Sequence, residues 1–195
     1  DGVIFDFGRS SLDLGEKETR PGEPEQTLDV QVEFREAPPE AQSLSRLSGV
    51  YVDTDRLQAG VETASQALGS LEPGTAVMLD VKSKFGNFYY TTGLSGASQS
   101  DTIEAAAMDA LLADLIRQDC YLIARLPAFR DSAFAEANPD SGLALDSGAL
   151  WTDEEQCYWL DPASQTVMAN LIQICRELRE LGFDEVVFTD FRIPD

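Results

Sequence analysis

The sequence of 195 residues contains no histidine, and this absence excludes several kinds of active site. Ser-His-Asp and Cys-His catalytic arrangements need an imidazole, as do the zinc sites that are built on one. Proton transfer near neutral pH must therefore come from carboxylates, tyrosine, lysine or cysteine. The three cysteines, Cys120, Cys157 and Cys175, have no metal-ligand spacing, so neither a disulfide framework nor a metal site is expected. We interpret Cys120 and Cys175 as small buried hydrophobic residues and Cys157 as a thiol in a loop.

Basic residues are scarce as well. The chain has 14 Lys and Arg against 35 Asp and Glu, which gives a formal net charge of −21. A surface of this sign repels phosphate groups, so we expect no nucleic-acid partner. No apolar run is long enough to cross a bilayer, and no membrane span is expected. A carboxylate-rich chain without histidine can still hydrolyse glycosidic bonds, because that chemistry uses two carboxyl groups.

From residue 49 onward the chain alternates between short apolar runs and segments with helical spacing. The apolar runs lie at residues 49–52, 76–79, 120–124 and 186–188. The helical segments lie at residues 55–69, 101–117 and 163–181. This alternation predicts an α/β fold with a parallel sheet, which an open doubly wound sheet and a closed barrel both satisfy. No Gly-rich phosphate-binding motif follows the first run, which disfavours a dinucleotide-binding sheet, and we expect no cofactor.

The first part of the chain does not follow this pattern. Residues 1–48 are rich in polar and helix-breaking residues, and residues 28–34 alternate between apolar and polar side chains as a half-buried strand does. We predict an N-terminal extension over residues 1–48 with room for a short hairpin. One βα domain then follows over residues 49–195.

One or two charged residues follow each of the four apolar runs. These residues are Asp53, Asp80, Lys82, Arg125, Asp190 and Arg192. Ligands of parallel βα folds bind at the carboxyl ends of the strands, so these side chains are candidates for one site. A charged residue at a strand end can also simply mark the point where the strand meets water. Within this set, Asp80 and Lys82 could pair with each other, as could Asp190 and Arg192.

The long irregular segment over residues 127–162 is unusual for a small domain and predicts a lid or a binding surface. It carries five aromatic residues, which are Phe129, Phe134, Trp151, Tyr158 and Trp159. Aromatic rings stack on the apolar faces of sugars, and this use makes Trp151 and Trp159 candidate sugar-binding residues. The alternative is that the rings anchor the segment to the core.

Several segments together resemble a family known as the putative glycosyl hydrolase domain. They lie at residues 76–82, 86–87, 121–125, 129–131, 150–151, 159–162 and 181–194. The resemblance covers roughly residues 48–195. It implies a TIM-type (β/α)₈ barrel, of which this chain holds about the first four βα units. It also implies an extracellular or cell-envelope protein that acts on a polysaccharide or oligosaccharide.

The resemblance also implies which residue carries the chemistry. In related barrel glycosidases the nucleophile is an Asp at the end of strand four, and the proton donor is an acid from a later strand. The family motif at strand four reads Phe-Asp-Tyr-x-Arg-Phe-Pro. Alignment on Phe183 and Pro194 places Thr189 at the family's Asp and Asp190 at its Tyr. Neighbouring residues of a strand face opposite sides, so Asp190 does not automatically replace that Asp.

The sequence thus predicts a retaining-type glycoside hydrolase domain. We assign Asp190 as nucleophile or stabiliser, and Asp80 and Arg125 as residues that position the sugar. The remaining candidates for substrate contact are Asp53, Lys82, Trp151, Trp159 and Arg192. A second catalytic carboxylate is expected outside this chain, and either a second copy of the chain or a further half-barrel would complete the fold. The alternatives are a catalytically inactive carbohydrate-binding or cell-envelope scaffold domain, and an open-sheet enzyme that binds a small anionic substrate through Lys82, Arg125 and Arg192.

Overall fold

In the computed structural model the described residues, 49–192, form alternating strands and helices. The strands are β1 (Gly49–Val52), β2 (Ala76–Asp80), β3 (Asn87–Phe88), β4 (Ser98–Gln99), β5 (Tyr121–Pro127) and β6 (Glu185–Thr189). The helices are α1 (Thr54–Ala59), α2 (Val61–Leu68), α3 (Ala105–Arg117), α4 (Ser132–Ala137) and α5 (Gln165–Glu180), with a 3₁₀ turn at Pro139–Ser141. The extension predicted for residues 1–48, with its hairpin, lies outside the described residues.

The main sheet has four parallel strands in the order β1-β2-β5-β6, and β3 and β4 form a separate two-stranded sheet. Each new strand is added on the same side of the preceding one. A doubly wound sheet reverses its strand order at a switch point, and this sheet does not reverse. The steady order is the winding of a TIM-type (β/α)₈ barrel over about its first four βα units, so the predicted fold class is confirmed.

The central strands β2 and β5 provide the middle of the core. Val77, Leu79, Leu122 and Ala124 are all fully buried there. Helix α5 covers this sheet with a stripe of buried residues that recur three or four positions apart, which are Val167, Leu171, Ile174 and Leu178. In the described sheet β1 and β6 are the outer strands, and all five residues of β6 are half-buried. The core therefore lies on β2 and β5, with its covering weakest at the two outer strands.

The helix predicted over residues 55–69 is in fact two helices. Gly60 ends α1 and precedes α2, with φ at 137°, a conformation that residues with a Cβ rarely adopt. The third strand also differs from the prediction, because β5 runs on to Pro127. Arg125 therefore lies inside β5, opposite Asp80 of β2, rather than at the strand end.

The long segment after β5 is folded rather than irregular. It contains α4 and the 3₁₀ turn, and isolated backbone bridges join Arg130 to Trp159 and Gly142 to Leu160. These bridges join parts of the segment to each other, and the N–H groups of Ala128 and Phe129 bond the carbonyls of Thr189 and Asp190 at the end of β6. Among the described helices, none combines the length and the apolar character that a membrane crossing needs.

Candidate functional site

A cleft of about 400 Å³ opens at the carboxyl ends of β2, β5 and β6. It is lined by Thr54, Gln58, Asp80, Lys82, Ser83, Lys84, Phe85, Tyr89, Arg125, Pro127, Arg130, Thr189 and Asp190. Four of the residues predicted from strand ends line this cleft together, namely Asp80, Lys82, Arg125 and Asp190. The location agrees with the general rule that parallel βα folds bind ligands at the carboxyl ends of their strands.

Asp80 lies at the end of β2 and is almost completely buried. Its Oδ1 accepts hydrogen bonds from the Tyr51 hydroxyl at 3.0 Å and from the Arg125 guanidinium at 2.8 Å. Its Oδ2 accepts from both the backbone N–H and the hydroxyl of Thr54, each at 2.9 Å. Because four donors surround the carboxylate, it is fixed in one orientation and suits a positioning role rather than proton transfer.

Arg125 is the charged partner of Asp80 and reaches solvent, with 35% of its side chain exposed. One terminal nitrogen donates to both Asp80 and the Tyr51 hydroxyl, and the guanidinium carbon lies 5.4 Å from the centre of the Tyr51 ring. Burial lowers the pKa of Arg125, but its hydrogen bond to Asp80 and the charge of Asp80 raise that pKa more. Burial, followed by the charge and the hydrogen bond of Asp80, raises the pKa of Tyr51 to about 12. The network therefore combines a permanent cation, a carboxylate and a neutral phenol.

Asp190 follows β6 and has φ at 49°, in the left-handed region that residues other than Gly rarely adopt. This conformation interrupts the strand alternation, and Thr189 and Asp190 both line the cleft as a result. The Thr189 hydroxyl donates to Asp190 Oδ2 at 2.8 Å, and Arg130 lies 3.9 Å from Oδ1. The side chain of Asp190 is 28% exposed, so it is the more accessible of the two carboxylates in the cleft.

Lys82 does not pair with Asp80. Its ammonium lies 2.6 Å from Asp131 Oδ2, and the two side chains are 0% and 4% exposed. The other oxygen of Asp131 accepts from the N–H of Phe134 at 2.9 Å and caps α4. This buried ion pair joins the end of β2 to the segment after β5, so Lys82 supports the wall of the cleft.

A turn after β2 supplies the exposed aromatic residue of the cleft, which the sequence prediction missed. Phe85 is 43% exposed, and its carbonyl accepts from the N–H of Ala133 at 2.9 Å. The ammonium of Lys84 lies 5.6 Å from the centre of the Phe85 ring and pairs with Glu155. The signal in the sequence was an aromatic residue directly before Gly86, where the chain has positive φ and must turn.

The remaining predicted residues lie outside the cleft lining. Asp53 caps α1 by accepting the N–H of Arg56 at 2.9 Å, and Arg192 lies on the exposed surface after β6 without an ion pair to Asp190 among the described residues. Trp159 is buried, and its indole N–H donates to Asp153 at 2.8 Å. Trp151 is half-buried and also outside the lining. Both tryptophans lie in the bridged segment.

Arg130 connects that segment to the cleft. Its guanidinium lies 2.5 Å from Asp153, 3.2 Å from Glu155 and 5.8 Å from the Trp159 ring centre. Burial raises the pKa of Asp153, but hydrogen bonds from Trp159 and the Cys157 backbone, together with Arg130, lower it further than burial raises it. Arg130 is thus held by carboxylates on the segment side while it also faces Asp190.

The cysteines and acidic clusters provide no metal centre among residues 49–192. No group of three or more His, Cys, Asp or Glu side chains in this range is arranged to hold a metal ion. Cys157 is the fully buried cysteine, and Cys120 and Cys175 are half-buried, which reverses the predicted assignment. Burial raises the pKa of all three thiols.

Comparisons with known proteins agree on the fold. The model of the family described as "Putative glycosyl hydrolase domain" matches residues 49–195. No curated protein matches the chain at a significant level. A hypothetical protein from Ruminiclostridium thermocellum ATCC 27405 is similar in structure, with 25% identity and a TM-score of 0.58, over 75% of this chain and 78% of that chain.

Two enzymes with solved structures share the same architecture at lower identity. An α-galactosidase from Thermus thermophilus, in complex with p-nitrophenyl α-D-galactopyranoside, has 17% identity and a TM-score of 0.50, over 72% of this chain and 31% of that chain. An α-amylase from Lactobacillus plantarum has 16% identity and a TM-score of 0.51, over 71% of this chain and 37% of that chain. This chain therefore spans about a third of each enzyme, and the likeness to them is one of fold.

The order of the strands, the position of the cleft and the family match over three quarters of the chain agree with each other. The chain belongs to the family described as putative glycosyl hydrolase domain and has a glycoside-hydrolase-like α/β fold.

Proposed function

We propose that the chain binds an oligosaccharide or polysaccharide in the cleft, as the sugar-recognising part of a glycoside-hydrolase-type site. The observation that carries this proposal is the fixed Asp80–Arg125 pair, which lines one cleft together with the exposed ring of Phe85. Sugars present hydroxyl groups and apolar C–H faces. A fixed cation–carboxylate pair suits the hydroxyls, and an exposed ring suits the faces.

The preorganisation of Arg125 supports this assignment. Its orientation is set by Asp80, by the Tyr51 hydroxyl and by the Tyr51 ring, so little side-chain entropy is lost when a ligand binds. Asp80 is in turn held by the two donors of Thr54 at the start of α1. The binding surface is therefore built on a strand end and a helix start, which are rigid elements.

The second candidate is hydrolysis with Asp190 as the attacking carboxylate. Its left-handed backbone and its exposed side chain within the cleft favour this candidate. In a retaining reaction Asp190 would form an ester with the anomeric carbon, and a second carboxyl group would protonate the departing oxygen. Among the described cleft residues the other carboxylate is Asp80, whose two oxygens are almost completely buried and already accept four hydrogen bonds. A general acid would have to come from elsewhere.

Thr189 favours binding without hydrolysis. The resemblance aligns this residue with the family's nucleophilic Asp, and a neutral threonine hydroxyl is a much weaker nucleophile than a carboxylate. The hydroxyl of Thr189 instead donates to Asp190. Binding is common to both candidates, and hydrolysis separates them.

The test uses the full chain and a panel of neutral and acidic oligosaccharides. Calorimetry measures binding, and the release of reducing ends measures hydrolysis. We expect at least one glycan to bind, and Arg125→Gln to weaken that binding about tenfold, because a charge-assisted hydrogen bond is lost. Asp140→Asn, which changes an exposed acid on the 3₁₀ turn outside the cleft, should bind as the parent does.

The same panel distinguishes the two candidates. Hydrolysis by the parent that disappears in Asp190→Asn, with binding retained, establishes Asp190 as the attacking carboxylate. Binding without hydrolysis in the parent shows that these residues recognise the sugar but do not cleave it by themselves. If no glycan binds, or if Arg125→Gln binds as tightly as the parent does, the proposal of a sugar-binding cleft is wrong.

A further inference from the structure

The cleft has a different charge balance from the rest of the chain. The chain has 35 acidic and 14 basic residues, yet the cleft lining has four basic residues and two acidic ones. The basic ones are Lys82, Lys84, Arg125 and Arg130, and the acidic ones are Asp80 and Asp190. An anionic protein repels an anionic ligand at long range, so cations concentrated in a cleft are what such a ligand would require.

All four cations have a carboxylate partner within the protein, but only two of the four are also out of a ligand's reach. Lys82 is inaccessible and pairs with Asp131, and Arg130 is largely buried against Asp153 and Glu155. The charges that a ligand can reach are those of Arg125 and Lys84, whose side chains are 35% and 38% exposed. A binding preference for an anionic ligand must therefore come from Arg125 and Lys84.

Arg125 keeps unused donors. Only its Nη1 is engaged, with Asp80 and Tyr51, and its Nη2 and Nε have no hydrogen-bond partner among residues 49–192. A guanidinium that is fixed on one side and open on another matches the two oxygens of a planar carboxylate. The Nη2 and Nε edge of Arg125 is therefore available to bind the carboxylate of a ligand.

Lys84 is held less firmly. Its partner Glu155 has a side chain that is 54% exposed, and ion pairs between exposed side chains contribute little free energy. A ligand anion can therefore displace Glu155 from the ammonium at small cost. Because Lys84 lies 5.6 Å from the centre of the Phe85 ring, the same place combines a cation with a surface on which a pyranose can stack.

We propose that the glycan bound in this cleft is an acidic one, built from sugar units that carry a carboxylate, and that Arg125 and Lys84 bind this group. The inference rests on the proposed sugar-binding function and specifies its substrate class. A ligand in the cleft therefore meets two accessible cations, Arg125 and Lys84, and one accessible carboxylate of the lining, Asp190, while the exposed Glu155 beside Lys84 is the group that the ligand displaces.

The experiment compares matched ligands on the full chain. The probes are oligogalacturonate, oligomannuronate and oligoglucuronate, each paired with its carboxyl-reduced form, which has the same linkages and no charge. Calorimetry at low salt should give at least one acidic probe a Kd about tenfold below that of its reduced partner. Raising the salt concentration should reduce this preference, because the pairs involved are accessible to solvent.

Variants then show which residues produce the preference for acidic over carboxyl-reduced glycans. Lys84→Gln and Arg125→Gln should each reduce it several-fold, whereas Arg117→Gln, which removes an exposed cation on α3, should leave it unchanged. Lys84 makes no hydrogen bond to the core network, so its variant remains informative if Arg125→Gln unfolds.

Two results would overturn the inference while leaving the proposed function in place. One is that the reduced probes, or neutral glycans, bind as tightly as every acidic probe. The other is an acid preference that neither variant alters. If no glycan of any kind binds, the proposed function itself is wrong and the inference fails with it.

Discussion

Removing the charge of Asp131 while Lys82 remains in place should strongly destabilise the domain. The Lys82 side chain is inaccessible to water, and its ammonium lies 2.6 Å from Asp131 Oδ2. Breaking a buried ion pair from one side typically costs 3–5 kcal/mol, because the remaining charge is buried without a partner. Asn at position 131 keeps the size of the side chain and can still cap α4, since Asn is a preferred N-cap residue. We therefore expect Asp131→Asn to lower the free energy of unfolding by about 3 kcal/mol.

A double variant tests whether this loss comes from the pair. Lys82→Met together with Asp131→Asn removes both charges, and we expect it to be more stable than the sum of the two single variants predicts, by about 1–3 kcal/mol. Urea unfolding followed by circular dichroism measures all of these free energies. The matched control is Asp114→Asn, which breaks an exposed pair with Arg117 on α3 and should cost less than about 1 kcal/mol. If Asp131→Asn costs no more than this control, the reasoning about a buried pair is refuted.

Three further predictions concern single residues. Gly86→Ala should destabilise the domain by about 1 kcal/mol or more beyond the loss caused by Gly74→Ala. Both glycines have positive φ, but only a Cβ at position 86 would overlap the Asp131 carboxylate that caps α4. Equal losses in urea unfolding would argue against the overlap at position 86. Cys157 should react with a thiol reagent at mildly alkaline pH more slowly than the two half-buried cysteines, because its thiol is the one buried from the reagent; a Cys157→Ala variant that keeps the slow phase would contradict this. Tyr51 should ionise near pH 12 in a titration of phenolate absorbance against Tyr51→Phe, since burial and Asp80 raise its pKa from 10.0. The stability that the neutral phenol contributes is therefore complete below pH 10 and is lost as the pH rises toward 12. Ionisation near pH 10 would show that the phenol is not held by Asp80.

The strands of the main sheet and the general location of the site could be predicted from the sequence. Apolar runs that alternate with helical spacing indicate a parallel sheet, and the charged residue after each run marks the carboxyl end of that sheet, where parallel βα folds bind their ligands. This reasoning found Asp80, Lys82, Arg125 and Asp190, which all line the cleft. It could not choose between a barrel and a doubly wound sheet, since strand order depends on contacts between distant segments. The family resemblance supplied that choice.

The pairing of side chains could not be predicted in the same way. Asp80 and Lys82 were candidates to pair because they are close in sequence, yet their partners are Arg125 and Asp131, which lie about forty to fifty positions away. Register and the folding of the long segment decide these partners. The same local ambiguity applies to Asp53, which caps α1, because an acid after a strand and an acid before a helix occupy the same position in the sequence.

The aromatic residues show a second limit. Size and location in a long segment indicated Trp151 and Trp159 as sugar-binding residues, whereas the exposed ring in the cleft is Phe85. Trp159 is held by a hydrogen bond to Asp153 and by the guanidinium of Arg130, which are contacts that only the folded segment creates. Aromatic content alone does not distinguish a ring that anchors a segment from a ring that meets a ligand.

The measurement that tests the central claim most directly is a titration of the isotope-labelled full chain with the glycan of highest affinity, followed by two-dimensional NMR. A sugar bound in the cleft should shift the signals of Thr54, Phe85 and Asp190 first, while signals around Trp151 and on α3 remain in place. The account predicts this pattern, together with its loss in Arg125→Gln. Shifts that cluster around the tryptophans of the long segment, with the cleft unaffected, would contradict it.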